Sequence, residues 1–150
     1  MAEVFASAKG AIIFSSKSSL LIRGNFNIMS EVLIIDDDLS QLDLFSTAFK
    51  QKEFSVLRAE SGEEGIAMAR ERQPALILLD IAMPGMDGLE VLKRLRSDPK
   101  TNNLKVLLMT NLTRPGLAEE VALSGANDFI MKTDLTPKEL VERARKLIND

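Results

Sequence analysis

Three acids, Asp36-Asp37-Asp38, close the first strongly apolar run of the chain, Val32-Leu33-Ile34-Ile35. A second run, Leu76-Ile77-Leu78-Leu79, closes on Asp80. A third, Val106-Leu107-Leu108-Met109, closes on Thr110, and a fourth, Phe129-Ile130-Met131, on Lys132. Carboxylates, a hydroxyl and an ammonium gathered in one cleft suit a hard divalent cation and a phosphoryl group. Mg²⁺ takes oxygen ligands, usually one or two protein carboxylates beside waters and phosphate. Phosphoryl transfer onto a carboxylate needs charge neutralisation and alignment more than proton chemistry. Asp37 and Asp80 fit as direct ligands, and Asp36 as the holder of a bound water. Lys132 is a point cation for one phosphoryl oxygen. The Thr110 hydroxyl serves a second oxygen, and main-chain N–H groups after Asp80 serve a third. Asp38, beside a helix start, reads as a cap. Clustered carboxylates raise one another's pKa, so such a group points to function.

These residues need elements that bring them together. Each apolar run has the character of a strand buried on both faces of a parallel sheet. In open α/β sheets, chemistry collects at the carboxyl ends of the strands. The pattern predicts strands at Val32–Asp36, Ser55–Ala59, Leu76–Asp80, Lys105–Thr110 and Asp128–Lys132. Helices alternate with them over Ser40–Lys52, from Ser61 to before Pro74, over Gly88–Arg96, over Pro115–Ser124, and from Thr136 nearly to Asp150. Ser61-x-x-Glu64 and Thr136-Pro137-Lys138-Glu139 are capping boxes, and Gly125 suits a helix C-terminus. Five βα units imply a doubly wound parallel sheet.

Composition excludes several chemistries. The 150 residues fit one domain with a sizeable core. There is no Cys, hence no thiolate nucleophile or zinc–cysteine site, and no His, hence no imidazole base and no phosphohistidine of its own. A carboxylate remains available as nucleophile toward phosphorus. The net charge of −3 argues against direct, broad nucleic-acid binding. No apolar stretch reaches the roughly 18 residues of a membrane span.

Residues 1–29 stand apart. They hold one acid, Glu3, against Lys9, Lys17 and Arg23, and they are rich in serine. The expectation is a flexible or atypical leader at 1–29, upstream of a natural start at Met29, followed by the functional domain at 30–150. The alternatives are a short extra strand or helix at Ala11–Phe14 or Leu20–Ile22, and a targeting peptide, for which the apolar cores are short.

From about Glu31 to Asn149 the chain resembles the receiver domain of bacterial two-component response regulators, the CheY-like family. The matching residues are Asp36-Asp37, then Asp80 within Leu79-Asp80-Ile81-Ala82-Met83-Pro84-Gly85-Met86-Asp87-Gly88, then Thr110, Gly125-Ala126, Phe129 and Lys132. The resemblance implies a flavodoxin-like (βα)5 fold with strand order 2-1-3-4-5. It implies Asp80 as phospho-acceptor, with Asp36, Asp37, Asp80 and the backbone carbonyl of Ala82 around Mg²⁺ or Mn²⁺. Thr110 and Phe129 correspond to the switch pair, in which the hydroxyl moves toward the phosphoryl group and the ring turns inward. Pro84 and Gly88 shape the acceptor loop, the glycine serving close approach or positive φ.

The chain departs from the family in three places. Thr133 follows Lys132 where a cis-linked Pro is usual. A cis bond before a non-proline residue costs about 2.5–4 kcal/mol. A trans bond is therefore expected, with Thr133–Leu135 rearranged so that Lys132 still reaches Asp80. Asn111 follows Thr110 where a small residue is common, which narrows access to the phosphoryl group. Ala82 and Leu112 occupy the two positions that tune phosphate lifetime, and neither can position a water.

The leading expectation is a stand-alone cytoplasmic receiver, a switch that assists its own phosphorylation and dephosphorylation rather than an enzyme. Its donor is a histidine kinase or histidine phosphotransfer protein, and its downstream partner is an unidentified protein. Neither nucleic acid nor membrane is a direct partner. A homodimer through the fourth helix, fifth strand and fifth helix is a further possibility. The alternatives are a pseudo-receiver acting only by protein interaction, a receiver excised from a larger regulator or hybrid kinase, and an aspartate-nucleophile phosphatase. The last would use Asp36-x-Asp38 and leave Asp80 unexplained.

Overall fold

In the computed structural model of the chain, the described residues are Val4–Ala6, Ile12–Phe14 and 29–150. Two short strands, β1 (Val4–Ala6) and β2 (Ile12–Phe14), pair antiparallel with Phe5 opposite Ile13. The second falls on the run where a short extra element was the alternative for the leader. Leu20–Ile22 lies outside the described residues.

The five apolar segments form β3 (Glu31–Ile35), β4 (Ser55–Ala59), β5 (Leu76–Asp80), β6 (Val106–Thr110) and β7 (Asp128–Met131). They run parallel in the order β4-β3-β5-β6-β7. Counted among these five, that is the expected 2-1-3-4-5. The connecting helices are α1 (Leu39–Gln51), α2 (Gly62–Arg72), α3 (Gly88–Ser97), α4 (Leu117–Leu123) and α5 (Pro137–Asn149).

Strand pleating divides the apolar runs between two cores. Val32, Ile34, Leu76, Leu78, Leu107, Met109 and Ile130 pack against Leu42, Phe45 and Phe49 of α1 and Leu140, Val141 and Ala144 of α5. Leu33, Ile35, Ile77, Leu79, Val106 and Leu108 pack against α2, α3 and α4 through Ala69, Val91, Leu92, Leu95, Leu117 and Val121. Both faces are covered, so both parities must be apolar, and the strands read as unbroken runs. Phe49 is fully buried and meets Phe54 edge-on at 5.2 Å. Truncating such a core aromatic to alanine costs about 3–5 kcal/mol.

Some boundaries differ from the sequence reading, for local reasons. β3 ends at Ile35, one residue short of Asp36, and β6 begins at Val106. α4 starts at Leu117 rather than Pro115. Gly116 precedes it at φ +84, a left-handed conformation that cannot belong to the helix. β7 stops at Met131 because Lys132–Asp134 turns into a 3-10 helix. Of the two capping boxes, Thr136–Glu139 is complete. At Ser61 only half forms: its side chain accepts the Glu64 N–H, while the Glu64 carboxylate takes the N–H of Glu60. Gly125, at φ +86, follows α4 as expected.

Candidate functional site

Register brings the strand ends together. Ile35 pairs with Leu79, Asp80 with Met109, and Thr110 with Met131. Asp36, Asp80, Thr110 and Lys132 therefore arrive at the same edge of the sheet from four adjacent strands. Asp36 is wholly buried and Asp80 nearly so, while Asp37 is exposed. Each of these acids presents a carboxylate oxygen within 4.8 Å of the other two.

Asp36 uses both oxygens. Oδ1 accepts the Asp38 N–H at 3.0 Å, and Oδ2 accepts from Lys132 Nζ at 2.7 Å. Asp38 in turn caps α1, its side chain accepting from the N–H groups of Ser40 and Gln41 and from the Ser40 hydroxyl. The Ser40 hydroxyl, then the Gln41 N–H, holds the Asp38 carboxyl below its ordinary range. The cap expected at Asp38 thus also aims an N–H at Asp36, a link that residue types alone do not show.

Asp80 Oδ1 accepts the Ala82 N–H at 3.3 Å, and Oδ2 lies 3.4 Å from Lys132 Nζ. Burial pushes the Asp80 carboxyl up to about 6, with the Asp36 charge adding to it and Lys132 opposing it. The ammonium expected on the acceptor is therefore nearer to Asp36. The Lys132–Thr133 bond is trans, as Thr133 led one to expect, and the loop after it is rearranged into the 3-10 turn.

Thr110 is buried, and its hydroxyl oxygen accepts the Leu112 N–H at 2.9 Å. Phe129 stands opposite Leu108 in register. Phe129 therefore shares a sheet face with Thr110, one diagonal step away on the neighbouring strand. It is half-buried against the α2–α3–α4 core and borders a hollow of about 340 Å³ beside Leu135 and Arg143. In the loop after Asp80, Gly88 serves close approach rather than positive φ. A Cβ there would lie 2.3 Å from the Asp80 carbonyl oxygen. Positive φ belongs instead to Gly85, at +74.

An oxygen-only set of three acids suits a hard cation of the Mg²⁺ or Mn²⁺ kind. The raised pKa of Asp80 shows the cost of ionising it, from burial first and then from the Asp36 charge, and a cation would relieve that cost. Asp36, Asp37 and Asp80 therefore fit such an ion. Among the described residues no helix is long and apolar enough to cross a membrane.

Comparison with known proteins agrees with this geometry. Residues 32–145 match the response regulator receiver domain. The transcriptional regulator RpaA of Synechocystis is 37% identical over 80% of the chain, and the chain spans 49% of its length. Over 69% of the chain, 23% of PleD from Caulobacter vibrioides is covered at 36% identity. The chain thus spans half or less of these curated relatives. DivK of Brucella ovis is 30% identical, with 79% of this chain and 96% of DivK covered. PilH of Pseudomonas aeruginosa is 31% identical, with 69% of this chain and 86% of PilH covered. Among solved structures, Vibrio cholerae CheY4 superposes with TM-score 0.73 at 27% identity, covering 80% of this chain and 99% of that one. A CheY-like receiver from Methanospirillum hungatei superposes with TM-score 0.74 at 25% identity, covering 81% and 95%. With the family matched across most of its length and the fold shared, this chain belongs to the response regulator receiver domains of two-component systems, a family of phospho-accepting signalling switches.

Proposed function

We propose that Asp80 accepts a phosphoryl group from a phosphohistidine on a histidine kinase or phosphotransfer protein, and that the modified domain switches a protein-interaction surface. The observation that carries this reading is the convergence of Asp36, Asp37, Asp80 and Lys132 at one strand-end edge. A domain acting by interaction alone would leave that costly buried charge without a purpose.

In the reaction, an ionised Asp80 oxygen attacks phosphorus in line with the departing imidazole nitrogen. The O–P bond forms as the P–N bond breaks, and the imidazole leaves with the electron pair. Lys132, within reach of Asp80, compensates charge on the phosphoryl oxygens. Thr110 meets another oxygen once its hydroxyl turns from the Leu112 N–H, and Phe129 follows into the vacated space. Asp36, Asp37, Asp80 and the Ala82 carbonyl would hold Mg²⁺ or Mn²⁺. The ion's chemistry there is neutralisation of the gathered negative charge.

The finer reading is of a cytoplasmic receiver formed by residues 30–150, working without a fused output domain. Support comes from DivK and PilH, whose lengths the match nearly fills. The partners are then the phosphodonor and a downstream protein. The face of α4, β7 and α5 is the candidate for either that partner or a second copy. The test is labelling with a small phosphodonor in Mg²⁺. Wild type gains an acid-labile phosphoryl group and Asp80→Asn does not. Undiminished labelling of the variant refutes the acceptor assignment, and labelling by ATP alone refutes the receiver mechanism.

A further inference from the structure

Leu123 is 89% exposed, whereas the other exposed large apolar side chains among the described residues, Met29, Leu39 and Leu44, stand near half. A lone exposed leucine is ordinary. Leu123 is not alone: it forms part of one wall of a groove of about 470 Å³ between α3 and α4. Leu89, Lys93, Arg96 and Ser97 line the α3 wall, and Glu120 stands beside Leu123 on α4. The α3 residues fall at i, i+4, i+7 and i+8, a single stripe about 12 Å long. No residue of β7 or α5 lines the groove, so it is a surface other than the face of α4, β7 and α5.

Most polar groups of the groove are already committed. Arg96 donates to the Gly125 carbonyl from two nitrogens, to the carbonyls of Asn102 and Leu104, and to the Asn127 side-chain oxygen. That uses every N–H of its guanidinium. All of these acceptors are neutral, so the positive charge of Arg96 is not compensated. The Ser97 hydroxyl donates to the Lys93 carbonyl, and Glu120 is paired with Arg114. Lys93 is exposed and has no ion-pair partner among the described residues. The groove thus offers an apolar strip, a net positive charge and one uncommitted ammonium.

Those properties select an occupant. Residues 1–29 carry Lys9, Lys17 and Arg23 against Glu3 alone, and a cationic groove repels them. A second copy seated groove to groove about a two-fold axis sets Lys93 and Arg96 of one copy against the same residues of the other. A helix laid between two helices brings apolar side chains to the strip at one-turn spacing. A carboxylate at the edge of such a helix meets the Lys93 ammonium. We propose that the α3–α4 groove docks an amphipathic helix of another protein, with apolar anchors on Leu123 and Leu89 and an acidic residue paired with Lys93. The docking requires nothing of Asp80, so it is independent of the acceptor reading.

The probe is a displayed library of alanine-based peptides about 16 residues long, a length and composition that favour helix. Leu, Ala or Ser is varied at the anchor positions i, i+3, i+4 and i+7, and Glu, Gln or Lys at the flanks. Selection uses the full chain and two variants at exposed positions, Leu123→Glu and Lys93→Glu. Wild type is expected to enrich peptides with leucine anchors and a glutamate flank. The selected peptide is expected to bind Leu123→Glu about tenfold more weakly. Lys93→Glu is expected to reverse the flank preference to lysine. No enrichment, equal affinity for Leu123→Glu, or a flank preference unchanged in Lys93→Glu overturns the proposal. Sedimentation without peptide tests the competing occupant. A wild-type dimer that Leu123→Glu dissociates assigns the groove to a second copy and overturns the proposal as well.

Discussion

Gly88 lies against the main chain of Asp80, so close that a Cβ would sit 2.3 Å from the Asp80 carbonyl oxygen and 2.7 Å from the Ile81 Cα. The Gly88 N–H donates to the Ile81 carbonyl at 2.9 Å, and Asp87 caps α3 through the Glu90 N–H. The start of α3 is thereby pressed onto the loop that follows Asp80. Backbone atoms, unlike the end of a flexible side chain, cannot move aside cheaply. Gly88→Ala is therefore expected to lose about 1–3 kcal/mol of stability and to slow labelling of Asp80. Gly85→Ala meets nothing within 4 Å and is strained only by its φ of +74, which costs about 1 kcal/mol. Thermal unfolding and labelling of the two variants check the ranking. Equal, small effects would remove the close-approach argument.

The raised pKa of Asp80 makes a prediction about metal-free stability. The folded carboxyl titrates at about 6 against an ordinary 3.8. Between those values the folded state binds more protons than the unfolded one, so stability falls as pH rises from about 4 to about 6. Above that window the loss is complete, and below it the loss is absent. Asp80→Asn carries no such cost. In chelator at pH 7.5 it should be more stable than wild type, and the difference should shrink as the pH falls toward about 4. Denaturant unfolding across pH measures the difference. A variant less stable than wild type at every pH would contradict the direction.

The aspartyl phosphate is expected to persist for minutes or longer without a phosphatase. Hydrolysis needs a water held in line, and the residues flanking the acceptor offer little to hold it. Ala82 presents an exposed methyl group, and Leu112 an apolar side chain whose N–H is committed to Thr110. Ala82→Gln, which supplies an amide, should shorten the lifetime several-fold. A wild-type half-life of seconds would overturn the argument.

Removing residues 1–28 is expected to leave the domain intact. The five-stranded sheet, both apolar cores and every site residue fall between Glu31 and Asn149, and the family match runs over 32–145. The melting temperature should move by less than about 2 °C, under 1 kcal/mol for a domain of this size, with labelling of Asp80 unchanged. A large drop in melting temperature would show that the leader packs on the core.

Much of this architecture is written locally. Strands buried on both faces must be apolar at every position, so Val32–Ile35, Leu76–Leu79 and Val106–Met109 are visible as runs, and the residue closing each run is a strand end. Strand ends therefore place Asp36, Asp80, Thr110 and Lys132 on one edge from the sequence alone. Caps are local too, and Asp38 and Thr136 were legible for that reason. What pairs across long stretches of chain was not. Lys132 and Asp36 are 96 residues apart, and no spacing rule says which of two acids an ammonium will meet at 2.7 Å and which at 3.4 Å. Gly88 could have been a turn glycine or a close-approach glycine. Only the packing of α3 on the Asp80 carbonyl decides it. The late start of α4 depends on the left-handed Gly116, and the half-formed cap at Ser61 on where the Glu64 carboxylate finds a donor. Residue type and period determine which groups reach the sheet edge. The choice among partners there rests on ångström differences in side-chain reach and burial, which exist only once the chain is folded.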